Sequence, residues 1–230
     1  MAAARPTTTS RSEPTRAWEL ACFDLDGTLL PRTSVSQFFA DRLGRGEELA
    51  VLERRYVAGE ISNADVADLT AAQYAGRGHD WVRAVLADIP CIRGIEETVS
   101  ALAARGIPSL LCTVTWRFAA EVLRERYGFA AASGTELGEE PEGVLSGRVS
   151  LYFDEHDKRR FVEDWCAARD LRLERCLAVG DSRSDIPLFE AVGFSIALNA
   201  TPAARAAATV ALDTEDLRDV LTLIPGRPAD

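Results

Sequence analysis

The chain has 230 residues, 47% of them hydrophobic, and a formal net charge of −10 at pH 7. That length and apolar fraction suffice for one substantial core plus a smaller module. The acidic balance argues against a general nucleic-acid surface, and no run approaches the 18 apolar residues of a transmembrane helix.

Residues 1–17 lack the apolar central run of a secretory signal. They read as a flexible N-terminal arm, and a cytoplasmic protein is the expectation. Residues 18–25, WELACFDL, predict a short buried strand, and Asp26-Gly27-Thr28 a turn directly after it. From Thr33 to about Pro90 the pattern becomes helical: SVSQFFADRL, EELAVLERRYVAG, SNADVADLTAAQYAG and HDWVRAVLADI form four pieces, with Ser62 or Asn63 capping the third. Residues 34–90 therefore make either a small helical cap inserted after the first strand or a helical layer on the same core.

Beyond Pro90 a helix is predicted over 94–104, a buried strand over 107–114 and a helix over 116–127. GVLSGRVSLYF at 143–153 reads as two short strands turning at Ser146-Gly147. A helix through DKRRFVEDWCAARD, the strand CLAVG into a second acidic turn, the helix SDIPLFEAV, the apolar run FSIAL and an Ala-rich helix near 202–208 complete the pattern. This rhythm predicts an α/β fold with an open, mostly parallel sheet. The core takes residues 18–33 and 91–224, and 225–230 form a C-terminal tail. Five cysteines without a C-x-x-C pair predict reduced, packed thiols.

Asp24 and Asp26 end the first strand. Buried acids there need a cation or hydrogen bonds; one carboxylate can attack phosphorus while its neighbour protonates the leaving oxygen, or Asp26 can simply cap the turn. Asp181 and Asp185 follow the strand CLAVG. Their oxygens suit Mg²⁺, and a helix N-terminus also favours Asp185. The carboxyl edge of an α/β sheet would bring Asp24 and Asp181 together. Thr113, or Thr115 if the strand runs further, can donate to phosphoryl oxygens or cap the following helix. Lys158 is the only lysine in the chain. It sits early in a predicted helix, where the dipole does not favour a cation, yet its stem can carry charge to a phosphate.

In order, these motifs resemble the haloacid dehalogenase-like phosphatase superfamily, in particular its phosphoserine-phosphatase-like branch. Asp24-Leu25-Asp26-Gly27-Thr28 resembles the first motif, Thr113 the second, Lys158 the third, and Gly180-Asp181 with Asp185 the fourth. The resemblance implies a Rossmann-like three-layer core under a helical cap. It implies Mg²⁺-dependent hydrolysis of a small phosphorylated metabolite, with Asp24 as nucleophile, Asp26 as general acid and then base, and Thr113 and Lys158 holding the phosphoryl group. Mg²⁺ would be bound by Asp24, the Asp26 backbone carbonyl and Asp181, with Asp185 supporting its waters or binding it directly.

Thr33 stands where an acidic cap-side residue would meet the substrate's amino group. Thr113-Val114-Thr115-Trp116 replaces serine, two glycines and an aromatic, and Ser184 replaces a metal-neighbourhood asparagine. These departures point away from phosphoserine itself. Trp116, Arg117, Arg54, Arg55 and Tyr56 are candidates for recognising the leaving group, or for packing and surface. Phosphoryl transfer to another acceptor, or an inactive phosphate-sensing or partner-binding protein, are the alternatives. No interface pattern separates a monomer from a homodimer.

Overall fold

The protein is described by a computed structural model over residues 18–225. The expected arm at 1–17 and the tail beyond Pro225 lie outside the described residues. Strand β1, Leu20–Phe23, is the short buried strand expected near the start. Helices α1 (Val35–Arg42), α2 (Gly46–Val57), α3 (Asn63–Ala71) and α4 (His79–Leu86) follow it, one for each helical piece in the sequence. The next elements are α5 (Ile95–Ala104), β2 (Ser109–Leu111), α6 (Arg117–Tyr127) and β3 (Ala131–Ala132). A strand pair, β4 (Glu136–Glu139) and β5 (Leu145–Leu151), precedes α7 (Glu155–Ala167). The described chain closes with β6 (Cys176–Gly180), α8 (Ile186–Phe189), β7 (Phe194–Leu198), α9 (Pro202–Ala207), β8 (Val210–Leu212) and α10 (Val220–Leu223).

Six strands form one parallel sheet in the order β3-β2-β1-β6-β7-β8, so β1 lies between β2 and β6. Alternation along β1 divides the molecule into layers. Ala21 and Phe23 pack with Leu111, Leu177 and Val179 into one apolar cluster that continues through α5 and α6 to Phe39, Tyr74 and Leu86 of the inserted helical region. Leu20 and Cys22 face the other way, against Val162 and Cys166 of α7, Leu188 of α8 and Ala204 of α9. Both faces are covered, which is why the central strands read as unbroken apolar runs. All five cysteines are free thiols. Among the described residues, no helix is long and apolar enough to cross a membrane.

One expectation is corrected. Ser146-Gly147 is not a hairpin turn: β5 runs through it, antiparallel to β4, and the chain turns instead at 140–143, where the Gly143 amide donates to the Glu140 carbonyl at 2.9 Å. The register shifts along this pair mark a bulged ribbon. Gly147 has φ of +73°, and a Cβ there would lie 2.7 Å from that of Ala75. The glycine serves a close approach of β5 to the helical layer. The Gly76 amide donates to the Leu145 carbonyl and the Leu145 amide to that of Arg77, both at 2.9 Å.

Candidate active site

The topology assembles the site at the carboxyl edge of the sheet. The Asp24 amide still donates to the Val179 carbonyl at 2.9 Å, so Asp24 leaves the sheet level with the last residues of β6. Thr113 lies just past β2 on one side and Asp181 just past β6 on the other, and all three line a cavity of about 420 Å³. Lys158 arrives from the first turn of α7. That helix is started by Asp154, which accepts from the His156 and Asp157 amides while its own amide donates to Asp157.

Lys158 is fully buried, and its Nζ donates to Asp24 Oδ1 at 2.7 Å and to Asp185 Oδ1 at 2.5 Å. Burial alone would lower its pKa, but Asp185 and Asp24 outweigh that and hold it well above the ordinary lysine value. A position unfavourable to a cation by the helix dipole is thus made favourable by two carboxylates from across the fold. Asp185 Oδ2 accepts the amides of Asp181 and Ser182 at 2.9 and 3.1 Å, so both its oxygens are engaged. A Cβ on Gly180 would come within 2.2 Å of the Asp185 carboxyl carbon, and one on Gly27 within 2.3 Å of Asp181 Oδ2. Only glycine lets the two acidic loops approach this closely.

Carboxylate oxygens of Asp24, Asp181 and Asp185 lie within 4.8 Å of one another. Burial pushes Asp24 up to about 6 against the pull of Lys158, with Asp185 adding to the rise. Burial, then Asp24 and Asp185, push Asp181 up to about 9. This is an excess of negative charge that one ammonium does not offset. An all-oxygen donor set of this kind fits a hard divalent cation such as Mg²⁺. Asp24 and Asp181 face the cavity, whereas Asp185 lies behind them, holding Lys158 and the 181–182 backbone.

Asp26 has turned away from this cluster: its Oδ1 accepts the Val35 amide at the start of α1 at 2.8 Å. Burial raises it to about 7 although that amide opposes the rise, and the charges of Asp24 and Glu53 add to it. The two neighbouring acids therefore differ in kind. Asp24 has a cation at hydrogen-bond distance; Asp26 has a neutral donor. Thr113 is fully buried, its amide donating to Ser133 Oγ at 2.9 Å and its Oγ1 accepting the Thr115 amide at 3.2 Å, which leaves the hydroxyl proton free to donate. Among the described residues, the buried Thr115 hydroxyl makes no well-formed hydrogen bond.

The remaining candidates divide. Thr33, Tyr56, Thr115, Trp116 and Ser184 line the cavity. Tyr56 lies under the Arg183 guanidinium, 4.4 Å from ring centroid to Cζ, and so joins α2 to the loop that carries Asp181. Ser184 is buried, 3.2 Å from Ser182 Oγ. Arg54 and Arg55 are exposed and outside the cavity, on the solvent side of α2. Arg117 also lies outside it, paired with Glu136 and Glu121. Glu53 and Gln37 line the cavity and were not singled out by the sequence; Asn63, named there only as a possible helix cap, lines it too, and Ser62 is the cap.

The family model for haloacid dehalogenase-like hydrolases matches residues 21–190. The chain is 28% identical over 212 residues to a phosphoserine phosphatase of Streptomyces coelicolor, covering 91% of this chain and 51% of that protein. It is 27% identical over 206 residues to a phosphoserine phosphatase of Streptococcus thermophilus, covering 89% and 95%. The chain thus spans about half the length of the Streptomyces relative. A solved phospho-aspartyl intermediate analogue of phosphoserine phosphatase superposes with a TM-score of 0.78 at 25% identity, over 91% of this chain and all of that one. A hydrolase structure from Salmonella enterica serovar Typhi shares the fold with a TM-score of 0.82 at 20% identity, over 92% and 73% of the two chains.

Proposed function

The chain belongs to the haloacid dehalogenase-like hydrolases, and from that premise we propose that it is a Mg²⁺-dependent phosphomonoesterase that releases phosphate from a small metabolite through an aspartyl-phosphate on Asp24. The observation that carries this reading is the buried Asp24–Lys158–Asp185 bridge under a cavity, with Asp26 held apart on the α1 N-terminus. A structural ion pair would need none of that asymmetry; a nucleophile beside an acid does.

Lys158 keeps Asp24 ionised and fixes its rotamer. An Asp24 carboxylate oxygen attacks phosphorus as the bond to the leaving oxygen breaks. Asp26, protonated near neutral pH, gives its proton to that oxygen. Asp26 then takes a proton from the water that attacks the aspartyl-phosphate, and inorganic phosphate leaves with Asp24 regenerated. The Thr113 hydroxyl and the Lys158 ammonium hold phosphoryl oxygens throughout. Asp24, Asp181 and the Asp26 carbonyl would hold Mg²⁺, with Asp185 fixing the loop behind them. When bound, the ion supplies positive charge that offsets repulsion between the nucleophile and the phosphate. The α1–α3 layer acts as the cap over this chemistry, and a cavity of about 420 Å³ suits a small leaving group.

Phosphate release in the presence of Mg²⁺, lost in Asp24→Asn with the fold intact by circular dichroism, tests the assignment. Turnover by Asp24→Asn at the wild-type rate would refute it.

A further inference from the structure

The cap side of the cavity is built of hydrogen-bond acceptors. Glu53, on α2, accepts the Ser34 hydroxyl on Oε1 at 2.5 Å and keeps Oε2 for another donor. Gln37, on α1, has its amide fixed by donating Nε2 to Asp41 Oδ1 at 2.7 Å and to the Gly46 carbonyl at 3.2 Å, neither of which can donate back. Its Oε1 is therefore the free end, buried and without a partner among the described residues. Asn63 is fixed in the same way: Nδ2 donates to the Phe153 and Val114 carbonyls at 2.9 and 3.2 Å. The Thr70 hydroxyl donates into its own helix, to Val66 at 2.7 Å.

Among the described residues, no buried cation answers these groups from inside. Arg32 lines the mouth but is exposed, and Lys158 is buried at the opposite end, held by Asp24 and Asp185. The cavity thus divides, with the Asp24–Asp181 cluster of the phosphate site at one end and a carboxylate with amide oxygens at the other. Of the lining residues on this side, Thr33 is uncharged and Glu53 is the carboxylate.

We propose that the leaving group carries a protonated amine and no carboxylate, that is, an amino-alcohol phosphate, and that Glu53 is the residue that selects it. This rests on the phosphomonoesterase reading and narrows its substrate. An ammonium would donate to Glu53 and Gln37 and satisfy the buried Oε1 that now lacks a partner. A carboxylate in the same place would face Glu53 with no buried cation to compensate.

The test measures kcat/KM for phosphate release with Mg²⁺ from aminoalkyl phosphates of two, three and four carbons, propyl phosphate, phosphoserine and an aryl phosphate. The best amino ester is expected to exceed propyl phosphate by at least about tenfold, and phosphoserine to fall below it. Glu53→Gln, which keeps size and hydrogen bonding, should shrink the amine-to-propyl ratio by about tenfold or more, mainly through KM. Equal rates for amine and propyl esters, a preference for phosphoserine, or an equal loss on both esters in Glu53→Gln would overturn the proposal. Failure of the parent reading shows itself differently, as no phosphate release from any ester, the aryl phosphate included. Calorimetric binding of 3-aminopropylphosphonate against propylphosphonate, in wild type and Glu53→Gln, then still decides the role of Glu53. Equal affinities in the wild type refute it.

Discussion

Replacing Lys158 by Met removes the buried charge while keeping most of the side-chain volume, and its consequences follow from the two contacts at 2.7 and 2.5 Å. At an effective dielectric of about 20, each is worth about 6 kcal/mol of attraction. The desolvation of three buried ions, several kcal/mol each, consumes much of it. What the variant exposes is the cost of leaving Asp24 and Asp185 without their cation, about 3–5 kcal/mol for a broken buried pair. At about 2–4 °C per kcal/mol for a chain of this size, the midpoint should fall by roughly 6–20 °C. The assay is thermal unfolding of metal-free protein at pH 8 and pH 5. The loss should be smaller at pH 5, where the orphaned Asp24 carboxylate, already raised by burial, can take up a proton. Phosphate release should fall by at least about 10²–10³ in the same variant, the range for removing a preorganised charge from a transition state. A midpoint within about 2 °C of wild type at pH 8, with turnover retained, would refute the role given to this side chain.

The raised carboxyls of Asp24, Asp26 and Asp181 set the sign of a pH effect. From about pH 4, the unfolded aspartate value, up to about pH 9, the metal-free folded state binds more protons than the unfolded one. These groups therefore make stability fall as pH rises across that window. Mg²⁺ should raise the midpoint, and more at pH 8 than at pH 5; a shift independent of pH in melts with and without the ion would contradict the carboxylate assignment. Asp26→Asn should slow formation of the aspartyl-phosphate by about 10²–10⁴ for alkyl esters and much less for an aryl ester whose leaving oxygen needs no proton, as single-turnover rates on the two would show. Gly180→Ala should push Asp185 off Lys158 and the 181–182 amides. Weaker Mg²⁺ binding by calorimetry is the expected result, and unchanged affinity would show that the loop tolerates a Cβ.

The acidic cluster was legible because it sits where strands end. WELACFDL and CLAVG are apolar enough to be strands by composition, and acids directly after buried strands need compensation, although a capped turn or a helix N-terminus explains each pair taken alone. Thr113 and Lys158 became legible only through their order along the chain, since nothing local distinguishes Lys158 from a surface lysine. The helical layer was harder. Its four helices follow from periodicity, but the identity of the side chains over the site depends on how α2 docks. A signal was present: Leu49, Leu52, Glu53 and Tyr56 share one face at helical spacing, and Leu49 is buried while the other three are half-buried. That face turns Arg54 and Arg55 outward and brings Glu53 in. The Ser146-Gly147 turn failed for a related reason. A glycine in a strand pattern marks either a turn or a close neighbour, and the neighbour, Ala75, is far away in the sequence.

The sealing of Lys158 has a practical consequence. It is the only lysine in the chain and has no exposed surface, so the folded protein offers amine-reactive reagents no lysine side chain at all. Acylation at position 158 must wait for α7 to part from β1 and the Asp185 loop. The rate of that single modification, read by mass spectrometry, is a clock for the opening of the buried Asp24–Lys158–Asp185 bridge, with no engineered probe required.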